Sequence, residues 1–193
     1  SASSESTTDK MTINAENLRQ IALDLGAADA AAIAVADVPL NREFRAACES
    51  NRCGNYGRNW TCPPEIGDID ELMEAFKTYE NAIVYQTVTP IADSYDIEGM
   101  LAAGDNHNAL TEKLRVAYRD LPVSMELHLG AGGCRVCPRC AKRKNEPCRY
   151  PDQAIASLEA YGVSVYELAQ KCGMNYINGQ NTVTYFGAFL YSE

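Results

Sequence analysis

Apolar residues recurring every three or four positions predict five helices along this chain. Between Asn14 and Leu25 the apolar positions share one face, Asn14 is placed to cap the first turn, and Gly26 can end the helix. Pro151 suits the first turn of a later helix, and Ser164 opens a capping box with Glu167. The predicted helices cover residues 14–25, 68–79, 97–121, 151–161 and 164–172.

Runs rich in apolar and β-branched residues predict strands over residues 31–40, 82–89 and 123–129. Asn178-Gly179 between two apolar runs predicts a hairpin within residues 174–191. Because strands and helices do not alternate strictly, the expected fold is a single α+β domain with a mixed or antiparallel sheet, helices packed on it, and two cysteine-rich metal-binding loops. We expect this domain to cover residues 13–193 and the polar residues 1–12 to be a disordered N-terminal segment.

The composition of the chain argues against several classes of protein before any motif is considered. A chain of 193 residues with 46% hydrophobic content can bury its own core, so its eight cysteines are not needed as disulfide staples. A net charge of −9 argues against general nucleic-acid binding, and no apolar run is long enough for a membrane helix. The N-terminus has no apolar signal region, so the expected compartment is the cytoplasm, where clustered cysteines hold metals more often than they form disulfides.

The sharper cysteine motif is Cys134-x2-Cys137-x2-Cys140-x7-Cys148. Three thiols spaced by two residues allow one loop to wrap a 4Fe–4S cluster with each thiolate on a different iron, while the fourth ligand comes from further along the chain. Structural zinc sites more often use two CxxC knuckles far apart in sequence, so zinc is the alternative to iron–sulfur. Glycines just before Cys134 let backbone N–H groups approach cluster sulfurs.

The first motif is Cys48-x4-Cys53-x8-Cys62-Pro63-Pro64. Three thiols suit a 4Fe–4S cluster with one open iron, or a cluster that is completed from elsewhere in the chain. Cys172 is the eighth cysteine, so the total matches the eight thiolates of two fully ligated clusters. Cys172 is therefore a candidate metal ligand, with a small buried core residue as the alternative interpretation.

Three strings carry a family resemblance: CGNYGRNWTCPP (53–64), GGCRVCPRC (132–140) and EPCRYPDQAIASLEAYGVSVYELA (146–169). Together they resemble the predicted metal-binding proteins catalogued as domain of unknown function 2284, which occur mostly in anaerobic bacteria and archaea. The resemblance runs from about Val38 to the C-terminus. It implies metal binding through cysteines and assigns no reaction. The resemblance does not assign Cys172 a place in the family pattern, and the matching cysteines are Cys48, Cys53, Cys62, Cys134, Cys137, Cys140 and Cys148.

Several other side chains near the motifs have more than one interpretation. Residues 135–149 contain six basic side chains and one acidic, Glu146, which would stabilise an anionic cluster or attract an acidic redox partner. The alternative is an ordinary solvated loop. His128 precedes Cys134 by six residues and can either reach a metal or lie in the sheet, His107 is expected at the surface, and Glu159 is expected on an exposed helix face. Three aromatic residues flank the cysteines and either shield a cluster from water or are ordinary core residues: Tyr56, Trp60 and Tyr150.

Three functions remain open. The first is an electron-transfer protein with one or two 4Fe–4S clusters and a redox partner protein. The second is an enzyme that uses an open iron in the Cys48, Cys53 and Cys62 cluster as a Lewis acid. The third is a protein whose zinc ions only shape its loops. Neither nucleic acid nor a membrane is expected as a partner, and the chain is compatible with a homo-oligomer.

Overall fold

The computed structural model describes residues 13–51 and 53–193, so the predicted disordered segment 1–12 lies outside the described residues. The helices are α1 (Ala15–Asp24), α2 (Phe44–Glu49), α3 (Ile69–Lys77), α4 (Ile97–Ala117) and α5 (Val165–Lys171). The strands are β1 (Asp29–Ala34), β2 (Asn81–Pro90), β3 (Met125–Gly130), β4 (Ala156–Ser157) and β5 (Thr182–Ser192). Short 3-10 turns cover Val35–Asp37, Ala141–Lys144 and Glu159–Tyr161.

The strands form one sheet in the order β1-β2-β5-β3-β4. The pairs β1–β2, β2–β5 and β5–β3 are antiparallel, while β3 and the two-residue strand β4 are parallel. The sheet is therefore mixed, and the expected α+β class with a mixed or antiparallel sheet is confirmed. Strands β2 and β5 have a neighbour on both sides, so their sequences are apolar along most of their length.

Each face of the sheet has its own hydrophobic cluster, because successive side chains of a strand point to opposite faces. On one face, Ile83 and Phe189 pack against α1 and α4 with Leu18 and Leu114. On the other face, residues of β2 and β5 pack against Phe76 of α3, the α5 residues Leu168 and Ala169, and Leu158. The helices therefore form a layer on each side of the sheet.

Side-chain capping explains why the predicted helices begin where they do. The Asn14 side chain accepts a hydrogen bond from the Glu16 N–H at 2.9 Å, and Asp68 accepts from the Asp70 N–H at 2.9 Å. Asp96 caps α4 through the Gly99 N–H at 2.9 Å. The helices predicted over 14–25, 68–79, 97–121 and 164–172 are confirmed. Among the described helices, none combines the length and the apolar character that crossing a bilayer requires.

The helix predicted over residues 151–161 is wrong. The chain makes one turn, in which the Tyr150 carbonyl accepts from Gln153 and Ala154, and then extends so that Ala156 and Ser157 pair with β3. Backbone pairing at the sheet edge outweighs the local helical pattern there. The 3-10 turn Glu159–Tyr161 follows this strand.

Three smaller predictions also need correction. Strand β1 covers Asp29–Ala34 rather than 31–40, because residues 35–37 form a 3-10 turn that directs Val35 into the core. Ser164 precedes α5, but its side chain makes no capping hydrogen bond. The predicted hairpin is a single strand, β5, preceded by a loop in which the Asn178 amide donates to Thr184 Oγ1 at 3.0 Å.

Candidate metal centre

Both cysteine motifs lie in long connections of the sheet. The first connects β1 to β2 and contains α2 and α3, while the second connects β3 to β4 over residues 131–155. The first connection is held against the α5 side of the fold, where the Asn41 N–H donates to the Gly162 carbonyl at 2.7 Å and the Ser164 N–H donates to the Pro39 carbonyl at 3.0 Å. This brings the first connection next to the end of the second.

The cysteines of the second motif line one small cavity of about 20 Å³, which we call the four-cysteine cavity: Cys134, Cys137, Cys140 and Cys148. Cys134 and Cys137 lie in the loop after β3, and Cys140 immediately precedes the 3-10 turn Ala141–Lys144. That turn ends at Asn145, which has a left-handed backbone (φ 53°) and returns the chain toward Cys148. The sequence spacing and this turn together bring the four thiols to a common space.

The cysteines of the first motif line a second, larger cavity of about 350 Å³, the three-cysteine cavity: Cys48, Cys53 and Cys62. Its remaining wall is largely apolar and includes Phe44, Tyr56 and Ala160. Gly132 and Gly133 of the second motif complete the wall, so both loops build this cavity. Glu159 is exposed as expected, but it lies in a 3-10 turn rather than on a helix face, and it lines the same cavity.

Burial makes two thiols of the three-cysteine cavity, those of Cys48 and Cys62, harder to ionise. Burial raises the pKa of Cys62 to about 11, and the neighbouring Cys53 adds to that rise. Burial also raises the pKa of Cys48, against the opposing charge of Arg45. A bound metal cation would stabilise the thiolates that burial disfavours, so metal binding at this site is coupled to proton release.

A hydrogen-bonded seam joins the two cysteine loops. Asn59, which is 5% exposed, donates from Nδ2 to the Cys134 carbonyl at 3.2 Å. The Cys134 N–H in turn donates to Thr61 Oγ1 at 3.1 Å, and the Thr61 hydroxyl donates to Asn59 Oδ1 at 2.8 Å. The three residues form a closed set of hydrogen bonds around the first ligand of the second motif. Sequence analysis did not single out Asn59 and Thr61 as residues of the site, although both lie between Cys53 and Cys62 in the string CGNYGRNWTCPP.

Two glycines before Cys134 serve the junction of the loops for different reasons. A Cβ atom at Gly133 would lie 3.1 Å from the Asn55 amide nitrogen and 3.2 Å from the Asn59 amide nitrogen. Gly132 has a φ of +68°, which side chains disfavour, although no atom would crowd a Cβ there. Gly133 therefore allows the loops to lie close together, and Gly132 allows the turn that precedes it.

Aromatic and charged side chains strengthen the same seam. The Trp60 indole N–H donates to the Glu146 carbonyl at 2.9 Å, and Lys142 Nζ lies 5.4 Å from the centre of the Trp60 ring. Lys142 also pairs with Glu65 at 3.5 Å. Trp60 and Tyr150 line the four-cysteine cavity, whereas Tyr56 lines the three-cysteine cavity. All three predicted aromatic neighbours therefore lie at a cysteine cavity.

Cys172 lies apart from both cavities. It follows α5 and packs, partly buried, against the hydrophobic cluster on that face of the sheet. Burial raises the pKa of its thiol to about 11, and the charge of Asp29 adds to this. The structure brings together seven of the eight predicted ligands in two neighbouring groups and places Cys172 elsewhere. All eight cysteines are free thiols.

Neither histidine lines a cysteine cavity. The expectation that His107 lies at the surface is wrong, since it is 3% exposed and its Nδ1 lies 2.8 Å from Thr87 Oγ1. Burial lowers the pKa of His107 to about 4, and the cation of Arg135 adds to this. His128 packs on Phe189 with ring centres 4.7 Å apart.

The basic side chains of the second loop form an exposed rim beside the four-cysteine cavity. Arg135 pairs with Asp105 of α4 at 3.5 Å, and Arg149 donates to the Arg139 carbonyl at 3.1 Å. Arg139, Arg143, Lys144 and Arg149 are all exposed. The rim is therefore a positive surface on a chain of net charge −9.

The donor chemistry of the four-cysteine cavity fits a thiolate-bound metal group. No carboxylate or imidazole of the described chain lines that cavity, so its candidate ligands are all sulfur. Sulfur ligands favour zinc, copper(I) and iron–sulfur clusters over hard cations. Across residues 13–51 and 53–193, no three His, Cys, Asp or Glu side chains converge closely enough to hold one metal ion.

Comparison with known proteins gives the chain a family. No curated protein and no solved structure matches it. The profile of the predicted metal-binding proteins of domain of unknown function 2284 (DUF2284) matches residues 31–191, which include all eight cysteines. The chain therefore belongs to the DUF2284 family of predicted metal-binding proteins.

Proposed function

We propose that this metal-binding protein holds 4Fe–4S clusters at its two cysteine loops and transfers electrons through them to a partner protein. The observation on which the proposal depends is that Cys134, Cys137, Cys140 and Cys148 line one cavity. In a 4Fe–4S cluster each iron takes its own thiolate, so a run of three closely spaced cysteines and a fourth from beyond a turn suits its geometry. Cys48, Cys53 and Cys62 would hold a second cluster by three thiolates.

Two features favour electron transfer. The loops are hydrogen-bonded through Asn59, Thr61 and Cys134, so clusters in the two cavities would lie close enough to exchange electrons within one chain. The exposed basic rim at Arg139, Arg143 and Lys144 offers a docking surface for an acidic redox partner and would increase its rate of encounter.

A second candidate function is an enzyme that uses an open iron at the three-cysteine cavity. The larger size of that cavity and its missing fourth thiol favour this alternative. When bound there, a cluster would supply a Lewis acid, while Cys48, Cys53 and Cys62 would hold it and the apolar wall would exclude water.

The test is anaerobic purification followed by iron, sulfide and zinc analysis, with absorption and EPR spectra before and after dithionite. We expect about eight irons and eight sulfides per chain and a reversible, low-potential reduction. Stoichiometric zinc in a colourless protein would overturn the proposal. Clusters that bind but cannot be reduced reversibly would exclude electron transfer and leave the enzyme.

A further inference from the structure

A cleft lies at the edge of the sheet, between strand β3 and the residues that lead into β4. Strand β4 pairs with β3 only at Leu129 and Gly130, and residues 152–155 before β4 do not continue that pairing. The cleft has a volume of about 460 Å³, within the range of small-molecule sites, roughly 300–1,000 Å³. Its walls come from the end of α4, from β3 and from residues 152–155, and no cysteine of the described chain lines it.

The helix side of the cleft carries two guanidinium groups, those of Arg115 and Arg119. Arg115 is held in place, because its Nη1 donates to the Asp152 carbonyl at 2.6 Å and its Nη2 donates to Glu112 Oε2 at 2.7 Å. Arg119 is exposed, and it has no hydrogen-bond or ion-pair partner for its side chain in the described part of the chain. The charge of Arg115 is therefore balanced by Glu112, whereas the charge of Arg119 is available to a ligand.

The strand and loop sides of the cleft carry two carboxylates, those of Glu126 and Asp152. Both side chains are exposed, and neither forms an ion pair with another described residue. The unpaired charges of the wall are therefore one cation and two anions, which come from different elements. A simple anion would meet the two carboxylates, and a simple cation would leave Arg119 unpaired. A molecule with both charges suits this wall better than either.

His128 adds a polar but uncharged part of the wall. Its ring packs on Phe189 with ring centres 4.7 Å apart. Burial, together with the charge of Arg115, lowers the pKa of His128 to about 4, so the ring is neutral at pH 7. His128 Nε2 and Arg115 Nε are buried and have no hydrogen-bond partner among the described residues. Because buried polar atoms normally have partners, this wall favours a polar occupant over an apolar one.

We infer that the cleft binds a small zwitterion, a molecule that carries both a carboxylate and an ammonium group, as an amino acid does. The carboxylate pairs with Arg119, and the ammonium group pairs with Glu126 and Asp152. Hydrogen bonds between ionised partners are stronger than those between neutral ones, so both charges of the ligand contribute. The inference goes beyond the proposed function and requires no metal.

The test titrates the purified protein with three zwitterions that differ in the separation of their charges: glycine, 4-aminobutyrate and 6-aminohexanoate. The chain has only two histidines, so its imidazole NMR signals are few, and His107, which does not line the cleft, is the internal reference. We expect the signals of His128 to shift and those of His107 to stay. The zwitterion that binds most tightly is then compared with the carboxylate and the amine of the same chain length. Each lacks one charge and should bind at least about tenfold more weakly.

Arg119→Gln removes the available cation and should weaken binding of the zwitterion at least about tenfold. Lys113→Gln is the matched control, because it removes the same charge from an exposed position of α4 that does not line the cleft. It should leave the affinity unchanged. Both replaced side chains are exposed, so neither change should prevent folding.

Three results would overturn the inference. The first is that none of the three zwitterions shifts the signals of His128. The second is that the zwitterion binds no more tightly than the carboxylate or the amine of the same length. The third is that Arg119→Gln and Lys113→Gln have the same effect on affinity. None of these results bears on the proposed function, which iron and sulfide analysis tests separately.

Discussion

The two cysteine cavities both offer thiol ligands, but they differ in volume. Four thiols line about 20 Å³ in one, and three thiols line about 350 Å³ in the other. All four thiols of the smaller cavity come from the loop that folds back through the 3-10 turn Ala141–Lys144, and Asn59, Trp60 and Thr61 of the first connection complete its wall. The larger cavity has walls from both loops and from Glu159–Tyr161. Four thiols therefore line the smaller, closed site and three line the larger, open site, and both loops contribute to each of them.

Substitution of Cys137 should have the largest effect, because it removes one of the thiols of the closed site. We expect Cys137→Ser to lose most of the metal of that cavity, about four of eight irons if the site holds a 4Fe–4S cluster. The iron content and EPR spectrum, measured anaerobically, test this. The cluster of the three-cysteine cavity should persist.

Cys172→Ala is the matched control for that experiment. Cys172 packs against the core and lines neither cavity, so the variant should keep its full metal content. If Cys172→Ala instead removes one cluster, the division into a closed four-thiol site and an open three-thiol site is wrong.

The second prediction concerns a buried imidazole outside both cavities, His107, which lies close enough to Arg135 of the second loop to feel its charge. His107 has a pKa of about 4 in the folded chain and an ordinary value of 6.5. Because the folded state holds it neutral, its contribution to stability is complete above pH 6.5 and is lost as the pH falls toward 4. The expected loss over this window is roughly 3 kcal/mol.

Denaturant unfolding at pH 7 and pH 4.5 measures this effect in wild type and His107→Gln. The variant should show a smaller decrease in unfolding free energy between the two pH values, because glutamine does not titrate. The other titrating groups are common to both proteins and cancel in the comparison. An identical pH dependence in both proteins would contradict the assignment of His107 as the titrating group.

The third prediction tests whether the two sites are independent. Asn59→Ala removes the buried amide that bonds to Cys134 and Thr61, and we expect a destabilisation of about 2 kcal/mol. Because the seam supports both loops, metal retention during dialysis against a chelator should decrease at both cavities. Asn55→Ala, the same change in the same loop, should cost less than about 1 kcal/mol. Loss of metal from one cavity only would show that the sites are built separately.

The smallest effect is expected for the charged contact across the seam. Lys142→Gln removes the pairing with Glu65 and the contact with the Trp60 ring, with an expected cost of about 1 kcal/mol. Arg143→Gln, at an exposed position of the same turn, should change the unfolding free energy by less than about half of that. A similar effect of both changes would assign the contribution to net charge rather than to the seam.

Local sequence patterns correctly predicted the helices whose starts are set by hydrogen bonds between residues close together in the sequence. The capping residues Asn14 and Asp68 each satisfy N–H groups a few positions away, so their helices could be predicted without tertiary information. The segment 151–161 has an equally good helical pattern but borders the free edge of β3, where backbone pairing of Ala156 and Ser157 is available. That partner lies about 27 residues earlier in the chain, and no local pattern reveals it.

The sequence by itself determined the family and the expectation of thiol ligands, and the two-residue spacings of Cys134, Cys137 and Cys140 require these three residues to lie in one loop. Only the tertiary structure decided that the two loops meet, that Asn59 and Thr61 join them to Cys134, and that Glu159 faces the first motif while Cys172 and both histidines face neither. The physical reason is the separation along the chain of the residues that form each feature. Ligand spacing is a property of a few consecutive residues, whereas a seam between residues 59 and 134 exists only after the sheet has brought their connections together.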